Sequence, residues 1–104
     1  MSTTALENML AKGIDNALLR FGLGKAALDA GDWPKAAEHL SRCVAFDSGY
    51  SAAWKLLGKA LAQTGDNDGA RQAWTQGIAA AQAKGDKQAE KEMSVFLNRL
   101  LKSL

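Results

Sequence analysis

The sequence contains a glycine-rich stretch followed by lysine, Gly22-Leu23-Gly24-Lys25. Glycines and a lysine at this spacing could bind a phosphate group. In a phosphate-binding loop, glycines let backbone N–H groups face an anion, and the lysine reaches the outer phosphates. Such a loop also needs an earlier glycine and a hydroxyl after the lysine, but Leu19 and Ala26 occupy those positions. No strand is predicted before the stretch. We therefore favour a helix interior, in which Gly24 lets a neighbouring helix approach closely.

His39 and Cys43 lie four residues apart on one predicted helix, a spacing that could serve two metal ligands. The chain has no second histidine or cysteine to complete a tetrahedral site, so we expect a surface histidine and a small buried thiol. His39 also lacks a recognisable nucleophile partner, and no carboxylate pair stands where its pKa would be shifted. The sequence therefore predicts no catalysis, no cofactor and no metal.

Composition excludes several further classes. The 104 residues suffice for one domain, and 47% hydrophobic with 23% charged residues is typical of an ordered globular protein. A net charge of +2 without a dense basic run disfavours a nucleic-acid partner. No apolar span is long enough to cross a membrane, and the first residues lack the order of a signal peptide. Together with a single cysteine, these features predict a cytoplasmic protein.

The apolar residues recur at helical spacing almost throughout, which predicts an all-α fold. A capping box of Thr4 and Glu7 opens a first helix to about Ala11, and we expect Asp15 to cap a second helix that reaches about Ala30. We predict the later helices over about 33–46, 51–64, 68–83 and 87–103; the stretch Asp47-Ser48-Gly49-Tyr50 precedes the second of these, and a Gly-Asp pair precedes each of the others. Short loops between such helices force antiparallel hairpins.

Two segments of the chain match each other at an offset of 34 residues. Aligning residues 17–50 with 51–84 gives eight identities without a gap. The identities fall on small and turn residues, where packed helices have least freedom. In the first copy they are Leu23, Gly24, Lys25, Ala26, Gly31, Asp32, Ala36 and Ala45.

A period of 34 residues with two helices per unit resembles the tetratricopeptide repeat (TPR). The second copy carries the family's large, Leu-Gly, alanine and aromatic residues at Trp54, Leu57-Gly58, Leu61, Ala70 and Trp74. The first copy departs from the pattern at Arg20, which replaces an aromatic residue. The resemblance covers 68 residues and implies antiparallel helical hairpins stacked as a short right-handed superhelix. Both Trp54 and Trp74 then fall on inter-helix packing positions.

No third copy follows, so we interpret the helix over about 86–104 as a cap on the repeat array. Its apolar stripe is expected to pack inward and comprises Ala89, Met93, Phe96, Leu97, Leu100, Leu101 and Leu104. An N-terminal helix with Leu6, Met9 and Leu10 would close the other end. A cap with exposed Val95 and Leu104 could also dimerise, so a monomer and a weak homodimer both stay open.

The resemblance further implies a concave groove lined by the first helix of each repeat. The family's groove positions hold Leu18, Phe21, Lys25, Leu28 and Asp29, then Ala52, Lys55, Lys59, Ala62 and Gln63. Stacking should gather Lys25, Lys55 and Lys59 into one patch beside apolar side chains. Such a groove suits a peptide with acidic and apolar residues, and a merely solvated lysine face is the equal alternative.

The sequence thus predicts a non-catalytic protein-interaction module, with a peptide or protein as its partner. Homo-oligomerisation through the C-terminal helix and weak nucleic-acid binding through the lysines are the alternatives. The resemblance does not extend to one binding mode of the family. The members that clamp the acidic tails of heat-shock chaperones carry other residues at the positions of Phe21, Lys25 and Leu56, so this chain is not expected to form that clamp.

Overall fold

The computed structural model describes residues 3–104, and within them the chain forms helices and no strand. The helices are α1 (Thr3–Ala11), α2 (Ala17–Asp29), α3 (Trp33–Phe46), α4 (Ser51–Gln63), α5 (Asn67–Lys84) and α6 (Lys87–Ser103). The predicted all-α fold is therefore confirmed.

The Gly-Asp pairs end one helix and begin the next, as the sequence indicates. Gly31 and Gly65 have φ values of 77° and 86°, a left-handed conformation that glycine adopts without steric cost. The side chains of Asp32, Asp66 and Asp86 each accept a hydrogen bond from the backbone N–H three residues later. These bonds satisfy N–H groups that a helix start leaves unpaired. The starts of α3, α5 and α6 thus lie within one residue of their predicted positions.

The N-terminal caps differ from the prediction. Helix α1 begins at Thr3, so Thr4 lies inside the first turn rather than at the predicted capping position. Helix α2 is capped by Asn16, whose side-chain oxygen accepts from the backbone N–H of Leu19 at 2.8 Å. The predicted cap, Asp15, instead forms an ion pair with Arg20 at 2.8 Å. A buried guanidinium thus has the stronger attraction for this carboxylate, and the adjacent asparagine is free to cap.

Successive helices pack against each other, and α4 also contacts α2 and α6. Helices α2, α4 and α6 therefore lie side by side in one layer, which we call the inner layer. Helices α1, α3 and α5 flank it, each packed on its neighbours in the chain.

Two glycines at equivalent repeat positions allow close contact between the helices of each repeat. A Cβ atom built on Gly24 would lie 2.6 Å from Cγ of Leu40, a side chain with no exposed surface. A Cβ atom on the equivalent Gly58 would overlap the indole of Trp74. Both repeats therefore use the same position to bring their two helices together, which confirms the interpretation of Gly24 as a helix-contact residue.

Helix α6 packs on the repeats with part of its apolar stripe. Ala89 and Met93 are buried against α5, and Phe96, Leu97 and Leu100 pack around them. Leu101 and Leu104 do not pack inward, because they are 48% and 74% exposed. Leu101 follows Met93 by eight residues, which turns its side chain about 80° away from that buried direction. Leu104 lies beyond the end of the helix.

Candidate functional site

One pocket gathers four of the predicted groove residues. It has a volume of about 380 Å³ and is open to solvent. We call it the Trp33 pocket; its lining residues are Leu28, Trp33, Lys59, Ala62, Gln63, Trp74 and Phe96. The three inner-layer helices all contribute to it, because α2 ends beside α4 and α6 runs along the other side of α4.

A second pocket holds two further predicted groove residues, Leu18 and Phe21, at the other end of α2. It has a volume of about 340 Å³, and we call it the Leu18 pocket. Its lining contains no charged residue and comprises Leu6, Met9, Asn16, Leu18, Leu19, Phe21 and Gly22. Leu18 is 73% exposed, although it is a large apolar residue. Leu18 and Phe21 are therefore separated from the Trp33 pocket, and α1 supplies the other wall of their site.

The three lysines have different surroundings. Lys55 Nζ lies 3.4 Å from the Oε1 atom of Glu92 on α6. Lys59 Nζ lies 5.0 Å from the ring centroid of Phe96, which is within the range of a cation–π interaction. Lys25 is exposed and forms no ion pair within residues 3–104. Each of these contacts is worth about 1 kcal/mol or less at an exposed site.

Aromatic side chains join the helices along this face. Phe21 on α2 stacks on Tyr50, with ring centroids 4.8 Å apart and planes inclined by 21°. Trp74 is 5% exposed and donates its indole N–H to the carbonyl of Lys55 at 3.1 Å. Phe96 packs against Trp74 at 5.5 Å between centroids. Two aromatic rings in mutual contact, Trp74 and Phe96, therefore form one side of the Trp33 pocket.

The two tryptophans predicted to be packing residues differ in burial. Trp74 is a core residue, as the repeat position indicates. Trp54 is only half-buried, packs against both core clusters and donates its indole N–H to the carbonyl of Ser48 at 2.8 Å. Neither is a free aromatic platform.

Three residues near the predicted groove positions are not predicted from the sequence: Trp33 and Phe96 line the Trp33 pocket, and Glu92 pairs with Lys55. Trp33 is half-buried at the first position of α3 and belongs to neither core cluster. Its position precedes Ala36 by three residues and Leu40 by seven, so it lies on the apolar stripe of α3, and the sequence does not distinguish it from a core residue. Glu92 and Phe96 lie on α6, which has no match at the repeat period, so the sequence carries no corresponding signal for them.

His39 is not the surface residue that the sequence predicts, since it is only 7% exposed. The guanidinium of Arg20 donates to His39 Nδ1 at 3.0 Å and to both carboxylate oxygens of Asp15 at 2.8 and 2.9 Å. Burial and the adjacent Arg20 lower the pKa of His39, which keeps Nδ1 available as an acceptor. The hydrogen bonds from Arg20 also lower the pKa of Asp15. This network explains why Arg20 replaces an aromatic residue in the first repeat.

Cys43 is fully buried, as predicted. Burial raises the pKa of its thiol to about 11, so the thiol is protonated and unreactive at neutral pH. Within the described range, no three His, Cys, Asp or Glu side chains are grouped so that they could hold a metal ion. In the same range, no helix is both long and apolar enough to span a membrane.

Comparison with known proteins agrees with the repeat architecture. The tetratricopeptide repeat model matches residues 4–51 and 21–86. The chain is similar to the TPR repeat-containing protein PA0015 of Pseudomonas aeruginosa, with 68% identity over 100 residues, which cover 96% of this chain and 95% of that protein. It is also similar to the solution structure of protein BPP2914 from Bordetella parapertussis, with 51% identity and a TM-score of 0.83. That match covers 99% of this chain and 90% of the other. With the 34-residue period and the paired close contacts at Gly24 and Gly58, these similarities show that the chain belongs to the tetratricopeptide repeat family.

Proposed function

We propose that this protein is a non-catalytic interaction module that binds a peptide segment of a partner protein on its inner layer. The observation that carries the proposal is the Trp33 pocket, an open site with one aromatic side and an ammonium group, Lys59, in its wall. A cavity of about 380 Å³ accommodates one or two large apolar side chains but not a folded domain.

The charge of this face favours an acidic partner. Lys25 and Lys59 are both exposed, and neither is neutralised by a carboxylate in the described part of the chain. Charge of one sign beside an apolar pocket increases the association rate of an oppositely charged peptide and discriminates against basic ones. Lys55 contributes less, because Glu92 already pairs with it.

The test is an affinity pull-down of partner proteins from the native lysate, with the wild type or the double variant Lys25→Glu/Lys59→Glu as bait. We expect the double variant to lose the partner and to keep the helical content and melting temperature of the wild type. The matched control is Lys12→Glu/Lys91→Glu, which makes the same charge change at two exposed lysines outside both pockets. Equal capture by the wild type and the groove variant would overturn the proposal.

Homo-oligomerisation through α6 is the second candidate function. It is supported by three apolar side chains that α6 and its C-terminal end leave exposed: Val95 at 39%, Leu101 at 48% and Leu104 at 74%. Sedimentation at several protein concentrations distinguishes the two. An interaction module without self-association gives one concentration-independent species, whereas an α6-mediated oligomer dissociates on dilution and on Leu101→Ser substitution.

A further inference from the structure

The two pockets lie at opposite ends of one inner-layer helix. Leu18 belongs to the Leu18 pocket and Leu28 to the Trp33 pocket, and both are on α2. Ten residues of helix at 1.5 Å per residue place the two positions about 15 Å apart. A short peptide can therefore reach both pockets at once.

Lys25 places a positive charge on α2 between the two pockets. Lys25 lies on α2 between Phe21 of one pocket and Leu28 of the other, and its ammonium group forms no ion pair with any described residue. The nearest carboxylate in the sequence of α2 is that of Asp29, one residue beyond Leu28 at the helix end. Lys25 is thus the charge that a ligand meets on its way from one pocket to the other.

From this arrangement we infer that the inner layer recognises an extended peptide with two large apolar side chains four residues apart and a carboxylate between them. An extended chain advances about 3.3 Å per residue, so four residues span about 13 Å, close to the separation of the two positions on α2. Alternate side chains of an extended chain share a face, so anchors four residues apart can both face the protein. A helical ligand would need about ten residues for the same span. Ordering each additional residue costs about 1–2 kcal/mol, which favours the shorter, extended ligand.

This inference rests on the proposed function, since it specifies the ligand of the same face. Each anchor side chain should enter a different pocket. The partner would therefore tolerate variation at the intervening positions as long as one of them stays acidic. It would lose affinity when either anchor is truncated, because each buries apolar surface independently of the other.

The experiment selects peptides from a phage-displayed random 12-residue library on the full chain. Enriched peptides are synthesised with a fluorophore, and their dissociation constants are measured by fluorescence anisotropy. We expect enrichment of two large apolar residues four positions apart with Asp or Glu between them. Replacing either anchor by serine should weaken binding about tenfold, as expected for the loss of one buried apolar side chain.

Variants of the protein then assign each anchor to its pocket. Leu18→Ser should abolish the dependence on one anchor, and Trp33→Ser the dependence on the other. Both residues lie outside the two core clusters, so both variants are expected to fold. Gln63→Glu, at an exposed rim position of the Trp33 pocket, tests the same pocket by charge, because the new carboxylate should repel an acidic peptide and raise its dissociation constant. Phe46→Ser is the matched control, because Phe46 is 52% exposed and lines neither pocket.

The outcomes separate this inference from the proposed function. Selected peptides that carry one anchor, or two anchors sensitive to the same protein variant, would overturn the two-pocket ligand while Lys25→Glu/Lys59→Glu still abolishes their binding. If that double variant binds the selected peptides as well as the wild type, or if no peptide is enriched, both the inference and the proposed function are wrong.

Discussion

Replacing Gly24 by alanine tests the account of how the two helices of a repeat come together. Alanine is the better helix former by about 1 kcal/mol, so propensity alone predicts that the variant is more stable. The added Cβ would, however, lie 2.6 Å from Cγ and 2.8 Å from Cδ2 of Leu40. Carbon atoms pack at about 3.5–4.0 Å, so one of the two helices has to move by about 1 Å.

Leu40 cannot accommodate this change by rotating into solvent. It has no exposed surface, and the atom in closest contact is its branch point rather than a terminal methyl group. Overpacking of a filled core costs about 1–3 kcal/mol. Less the gain in helix propensity, Gly24→Ala should lower the free energy of unfolding by up to about 2 kcal/mol. For a domain of this size, that corresponds to a fall in melting temperature of up to about 15 °C.

The matched control is Gly22→Ala, two residues earlier in the same helix. A Cβ atom there would lie 3.0 Å from Cδ1 of Leu6, the far end of a half-buried side chain that can shift. We therefore expect Gly22→Ala to raise stability by about 0.5–1 kcal/mol. Urea denaturation followed by circular dichroism measures both variants. If Gly24→Ala were as stable as Gly22→Ala, the close contact with Leu40 would not constrain the packing, and the reasoning would be refuted.

Three further predictions concern the core and the buried network. Gly58→Ala should lower the free energy of unfolding by about 2–3 kcal/mol in urea denaturation, a larger loss than that of Gly24→Ala. The added Cβ displaces the indole ring of Trp74 and disturbs its hydrogen bond to a backbone carbonyl. The pKa of His39 is held below its ordinary 6.5, so unfolding takes up a proton and the free energy of unfolding should fall as the pH drops below about 6.5. His39→Gln should reduce this dependence of stability on pH in melting curves recorded from about pH 7.5 to 5.5. Cys43 should react with a thiol reagent at neutral pH only as fast as the chain unfolds, since its pKa is about 11 and it is fully buried.

Each of these predictions has a definite contrary result. Equal stability of Gly58→Ala and the wild type would mean that the indole of Trp74 moves without cost. An unchanged pH slope in His39→Gln would assign the proton uptake to another group, and the loss of stability near pH 6 would then not come from the Arg20 network. Labelling of native Cys43 at the rate seen in denaturant would contradict its burial.

The regular part of the fold is readable from the sequence because its signals are local. Glycine at Gly31 and Gly65 permits a conformation that other residues rarely adopt, and the aspartate after each glycine caps the next helix. The repeat register then identifies Gly24 and Gly58 as contact positions without any knowledge of the partner helix. These features need no tertiary information, which is why the boundaries of α3 to α6 agree with the prediction to within one or two residues.

The N-cap of α2 and the burial of His39 could not be predicted from the sequence, since both depend on contacts between helices. Asp15 and Asn16 are equally good capping residues by type. Arg20, buried against α3, binds Asp15 and so leaves Asn16 to cap α2. The same guanidinium contacts His39, nineteen residues away in the sequence, where no local pattern connects them.

The lining of the Trp33 pocket is predictable only for the residues that belong to the two repeats. Leu28, Lys59 and Gln63 were derived from repeat positions and lie in one pocket. The opposite wall comes from α6, where the period fails. Thirty-four residues after Lys55 and Lys59 stand Ala89 and Met93, which are buried against α5. The side chains that meet the lysines are Glu92 and Phe96, one turn further along α6.

The central claim is that the inner layer binds the partner, and residue-by-residue mapping of a bound peptide tests it most directly. Amide and side-chain NMR spectra of the full chain are recorded during titration with a peptide selected from the display library. Binding on the inner layer should give the largest shifts on both sides of Lys25, at Leu18 and Phe21 and at Leu28, Lys59 and Gln63. Shifts confined to α3 and α5, or to the exposed end of α6 at Leu101 and Leu104, would contradict it.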